Sequence, residues 1–167
     1  MNNILGLLVI LLFGGAGLIS IFAIINLLLP APVEQTRAAL ENSLGRSLLL
    51  GLINSVFAVA LSALLTLPTH SGGVVAGIFA FLIGLVALAV IVFTLLGLVA
   101  ATSLLGSRIG EAKSPVTSHI RGGVLLLLAC LTPYLGWFVF TPLVLWTALG
   151  AAIQAMFRRK NATVAEA

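Results

Sequence analysis

Every charged residue in this chain falls in one of three short windows, 34–46, 108–121 and 158–166, and long uncharged runs lie between them. The runs are Ile4 to Leu29, Ser47 to Leu67, Val74 to Leu105 and Gly122 to Phe157. Each is long enough to cross a bilayer, which takes about 20 residues. None alternates polar and apolar residues as a membrane β-strand does. Lipid offers no hydrogen bonds to a bare backbone, so the runs are predicted to be helical. Composition agrees: of 167 residues, 61% are hydrophobic and 7% charged, where a soluble domain carries about 25% charged. That excludes a water-soluble globule, a disordered chain and a fibrous repeat. The expected fold class is all-α: a polytopic transmembrane helix bundle, one integral membrane domain over 1–167, with the lipid bilayer as its first partner.

The net charge of +4 does not point to nucleic acid, because no soluble part is left to carry a basic face. The single Cys130 lies in an apolar run, so neither a disulfide framework nor a cysteine metal site is expected. The first run has no Lys or Arg ahead of it and is far longer than the apolar core of a signal peptide. It is read as an uncleaved span over about 4–29.

Pro30-Ala31-Pro32 closes that run. Pro32 suits a first helical position and Gly45 a helix end. Val33, Leu40 and Leu44 fall on one stripe, and Glu34 stands near the helix N-terminus, where the dipole favours it. The segment 33–45 is therefore read as a short helix at the membrane surface; a solvated loop fits the same pattern. The second span covers about 47–67. The third run, 74–105, would be about 48 Å long as one helix against a hydrocarbon core of about 30 Å. It must tilt, break or project, and Gly84 and Gly97 are its candidate weak points.

The fourth run is too long for one crossing and contains Pro133 and Pro142. Its Thr132-Pro133-Tyr134-Leu135-Gly136-Trp137 stretch combines a helix breaker, a glycine and two aromatics that favour membrane interfaces. The reading is a helical hairpin broken at Pro133, Tyr134, Gly136 and Trp137. Its short or re-entrant arm spans about 122–132 and its full span about 137–157. A single crossing would leave three Lys/Arg on one side and five on the other. A hairpin instead gathers all eight on one side: Arg37, Arg46, Arg108, Lys113, Arg121, Arg158, Arg159 and Lys160. The positive-inside rule favours the hairpin. The expected arrangement has five membrane segments in the cell membrane, the N-terminus outside, and 158–167 as a cytoplasmic tail.

No Asp, Glu, Lys or Arg interrupts any run, which argues against proton-coupled transport and voltage sensing. Asn54 with Ser55 is the deepest polar pair, read as an interhelical hydrogen bond rather than a pore contact. Asn26 and Gln154 lie near span ends, within reach of water or headgroups. His70 and His119 fall on opposite sides of the membrane in this topology and are read as loop histidines. No metal ligand set, catalytic nucleophile or cofactor loop is expected. The small residues carry more signal. Ala76, Ala80 and Gly84 recur every four positions, as do Gly97 with Ala101 and Ala148 with Ala152. Such spacing lets membrane helices approach closely.

Three segments carry a family resemblance: Gly45-Arg46-Ser47-Leu48-Leu49-Leu50-Gly51, Gly106-Ser107-Arg108-Ile109-Gly110 and Pro133-Tyr134-Leu135-Gly136-Trp137. Over roughly 40–157 the chain resembles the small bacterial multi-pass membrane domain that often follows bactofilin-like, polymer-forming modules. The polymerising module itself has no counterpart here, so filament formation does not carry over. The resemblance implies a small, non-enzymatic membrane module. The expected function is structural or accessory, packing against itself or a larger membrane complex. The alternative is a channel or transporter for a neutral or apolar solute, using the broken helix around Pro133–Gly136.

Overall fold

A computed structural model describes the backbone of residues 2–109 and 115–165, with side chains for Gly6, Val9, 13–70, 72–109 and 117–157. Among these the chain is all-helical. Six α-helices follow one another: α1 (Asn2–Leu28), α2 (Pro30–Asn42), α3 (Leu44–Thr66), α4 (Gly73–Arg108), α5 (Pro115–Leu131) and α6 (Thr141–Ala165). A 3-10 turn at Leu67–Ser71 joins α3 to α4, and a π-helical turn at Gly136–Phe140 leads into α6. Three stretches are long and apolar enough to cross a membrane: Leu44–His70, Gly73–Arg108 and Gly136–Phe157. A fourth is added if the bent pair Phe13–Leu28 and Pro30–Asn42 counts as one span.

The breaks follow from local chemistry. Pro30 forces Leu29 out of the helical region (φ −129°, ψ 55°), and α2 leaves α1 at 106°. The first turn of α2 tolerates its prolines because its N–H groups have no partner within the helix anyway. The helix ends at Asn42, not at Gly45. Ser43 adopts an extended conformation there (φ −161°), and Gly45 sits inside the first turn of α3. Gly72 and Gly73 both have positive φ, 73° and 67°, a conformation that costs glycine nothing. They turn the chain from α3 into α4.

The third run does not break. α4 is one helix of 36 residues through Gly84 and Gly97, about 54 Å at 1.5 Å per residue. The fourth run is interrupted between Leu131 and Gly136. Tyr134 is the one non-glycine residue with positive φ among those described, at 65°. Thr141 then donates both its backbone N–H and its hydroxyl (2.8 Å) to the Gly136 carbonyl, five residues back. Pro142 follows; having no N–H, it cannot bond Phe138, and one π-turn accommodates the mismatch.

Close contacts fix the direction of each helix. Gly106 lies against Ser118 and Gly122 against Thr102, so α5 runs antiparallel to α4. Gly15 meets Leu127 and Gly123 meets Ile19, so α1 runs antiparallel to α5. Gly51 meets Trp146 and Gly150 meets Ser47, so α6 runs antiparallel to α3. One end of the bundle therefore gathers Arg37, Arg46, Arg108 and Arg121 with the last turns of α6, where positions 158–160 stand. Lys113 lies outside the described residues. The other end holds 67–73 and 132–135.

The two arms flanking the 132–135 turn meet at the π-turn, where Gly136 packs against the end of α5. Along the rest of their length α5 and α6 each pack on α4. The core sits at the charged end, where Val33, Ala39 and Leu40 of α2 meet Phe22 of α1, Val99, Ala100 and Leu104 of α4, and Ala151 of α6. The apolar stripe of α2 thus faces protein rather than lipid. Leu44, expected on that stripe, begins α3 and is exposed.

Candidate functional site

The bundle concentrates its polar side chains at the charged end, in two clusters. The first ties α6 to the α2–α3 junction. Gln154 donates from Nε2 to Ser43 Oγ at 3.3 Å and accepts at Oε1 from Ser47 Oγ at 3.1 Å. Ser47 is fully buried. Gln154 is therefore satisfied by protein, not by water or headgroups as its place near a span end suggested. Gly51 and Gly150 let α3 and α6 approach closely enough for this bridge to form.

The second cluster joins α2, α4 and α5. Arg37 of α2 donates from Nε to Glu41 Oε1 at 3.3 Å and from Nη2 to Ser107 Oγ at 3.1 Å. Ser118 Oγ donates to the Ser103 carbonyl at 3.3 Å. His119 Nδ1 lies 3.4 Å from Thr102 Oγ1. The Thr102 hydroxyl donates to the Val99 carbonyl at 2.8 Å, so its oxygen is left to accept and Nδ1 carries the ring proton. His119 is no loop residue; it is 3% exposed on α5, three positions ahead of the uncharged run. Burial first, and the Arg37 charge second, hold its imidazole below the ordinary value of 6.5. Nothing in the spacing distinguishes His119 from His70, which is exposed on the 3-10 turn. Only packing separates them.

Deep polar residues mostly serve their own helices. Asn54 donates to the Leu50 carbonyl at 2.9 Å, not across to another helix as expected. Ser20, Thr94 and Thr147 likewise bond carbonyls four residues back. Ser55 lines both of two shallow apolar grooves, of about 400 and about 410 Å³, on either side of α3. Neither reaches the 132–135 turn.

The small-residue positions divide by depth. Gly97, Ala148 and Ala152 are buried, and a Cβ on Gly97 would overlap the Ala148 carbonyl. Ala101 packs against the core. In the other half of α4, Ala76 is half-buried, Ala80 and Gly84 are exposed, and a Cβ on Gly84 meets nothing within 4 Å. The sequence reading passed over Gly51, Gly106, Gly122 and Gly150, although Ser47 and Ser55 flank Gly51, Thr102 precedes Gly106 and Ser118 precedes Gly122 at the same four-residue spacing; only Gly150 lacks such a neighbour. At the turn, Tyr134 and Trp137 are exposed. Gly136 is buried, with room for no side chain: a Cβ would stand 2.5 Å from the Cys130 carbonyl.

Comparison with family models, with curated proteins and with solved structures finds no match.

Proposed function

We propose that this chain is a small, non-enzymatic integral membrane protein of structural or accessory role that packs against itself or a larger membrane complex. The observation that carries the reading is the division of its small residues. Those at the charged end are used up in internal packing, while Ala80 and Gly84 on α4 face outward. Small residues at that spacing let membrane helices approach closely. The proposed topology has five membrane segments, the last two being 122–132 and 137–157, with the N-terminus outside and the basic end in the cytoplasm. The gathering of Arg37, Arg46, Arg108 and Arg121 at one end supports it. The family resemblance to the bacterial module is kept within this proposal.

Cross-linking tests it. Ala80→Cys or Gly84→Cys, in a Cys130→Ser background, is expected to give disulfide-linked dimers or partner adducts in native membranes. Uncross-linked monomer alone would remove the basis of the reading.

The second reading is passage of a neutral or apolar solute. Its support is the discontinuity at 132–135, with left-handed Tyr134 and the π-turn beyond it. Flux into liposomes that disappears with Pro133→Ala would favour it over the first.

A further inference from the structure

His119 is the one ionisable side chain that is buried among the described residues, and its surroundings suit only one of its charge states. Its ring lies between two backbone contacts of α5 with α4: Ser118 against Gly106, and Gly122 against Thr102. The residue is 3% exposed there. The neutral ring is matched there, because Nδ1–H has the Thr102 oxygen and the Thr102 hydroxyl is spent on Val99. A second proton, on Nε2, adds a donor and a charge. Among the described residues, no hydrogen bond awaits that donor, and the facing charge is Arg37.

The other ionisable groups near this junction are accounted for by helix. On α2, Arg37 is paired with Glu41, and Glu34 is exposed. On α4, the residues opposite the ring are neutral, and Arg108 lies beyond them, exposed. On α5 itself Arg121 is exposed. α1 carries no ionisable side chain. Glu111 and Lys113 fall outside the described residues.

We propose that His119 is a proton-operated latch: its protonation from the aqueous phase at the charged end separates the first turns of α5 from α4. This goes beyond the accessory reading and stands whether the protein scaffolds a complex or passes a solute. The sense of the response follows from linkage. An accessible histidine binds its proton near 6.5, and the packed one binds it only at lower pH. The junction is therefore intact above 6.5 and loses stability as pH falls below it.

The full chain in lipid nanodiscs tests this, with spin labels at Gln35→Cys on α2 and Ile120→Cys on α5 in a Cys130→Ser background. Between about pH 8 and about pH 5, a range set by the histidine titration, the distance distribution is expected to change from narrow to broad or longer, with a midpoint below 6.5. His119→Asn keeps an N–H donor near the Nδ1 position and cannot titrate, so its distribution is expected to stay narrow throughout. Arg37→Gln removes the charge that opposes the imidazolium, so the protonated ring is better tolerated in place and the transition is expected to move to lower pH or vanish. Glu111→Gln is expected to leave the midpoint in place. A native distribution that never changes, or the same transition in His119→Asn, overturns the latch. So does a transition that Glu111→Gln abolishes. If His119→Asn does not fold, the Arg37→Gln chain decides, and a midpoint that fails to fall overturns the proposal.

Discussion

Gly51 of α3 and Gly150 of α6 stand opposite each other, and neither helix has room for a side chain at that level. A Cβ on Gly51 would overlap the Trp146 carbonyl, and one on Gly150 would overlap the Ser47 carbonyl. Both opposing atoms are backbone, which cannot rotate away as a side chain can. Gly51→Ala or Gly150→Ala is therefore expected to cost about 1–3 kcal/mol by overpacking. Gly84→Ala, with nothing within 4 Å, is expected to hold or raise stability, since alanine favours helix over glycine by about 1 kcal/mol. Thermal unfolding in mild detergent, followed by circular dichroism, compares the three. Equal melting temperatures would show that this crossing is looser than described.

The Gln154 bridge makes a separable prediction. Interhelical hydrogen bonds of this kind are worth about 1 kcal/mol in membrane proteins. Gln154→Leu leaves the buried Ser47 hydroxyl without its acceptor, so it is expected to destabilise more than Ser47→Ala. The double variant is expected to cost less than the sum of the two. A cycle that closes to zero coupling would show that the bond contributes nothing.

The turn at 132–135 combines strain with close packing. Tyr134 holds positive φ, which asparagine and glycine adopt more readily. Tyr134→Gly is expected to be neutral or stabilising by about 1 kcal/mol. Gly136→Ala is expected to destabilise, because its Cβ would press on the Cys130 and Ala129 carbonyls. The same melting assay reads both, and the opposite order would contradict this turn geometry.

Orientation is open to chemical labelling. In a Cys130→Ser background, a cysteine at position 70 is expected to react with an impermeant maleimide added outside intact cells. Cysteines at 113 and 162 are expected to react only after permeabilisation. Labelling of 113 from outside would reverse the proposed topology.

How much of this was legible beforehand varied by element. The turn near Pro133–Gly136 was readable because proline and glycine act on their own backbone. The segment after Pro32 was open to two readings, a short helix or a solvated loop; α2 begins at Pro30, and Gly45 looked like a stop, while the chain breaks at Ser43. Gly84 and Gly97 looked like weak points in α4, yet the helix runs through both, because an isolated glycine costs too little to break a long apolar helix. Gln154 and His119 were assigned to water and to a loop. Their partners, Ser43, Ser47 and Thr102, lie on other elements, and no local pattern announces them.

The sequence by itself determined the all-helical class, the long apolar helices and the grouping of charge into three windows. These follow from the cost of leaving backbone or charge unsolvated in hydrocarbon, which acts on each segment separately. The tertiary structure decided which small residues touch, that α2 buries its apolar stripe against protein, and that one histidine of two is enclosed. Those outcomes depend on how helices cross, and a crossing is set by the shapes of two surfaces that a linear pattern records only one at a time.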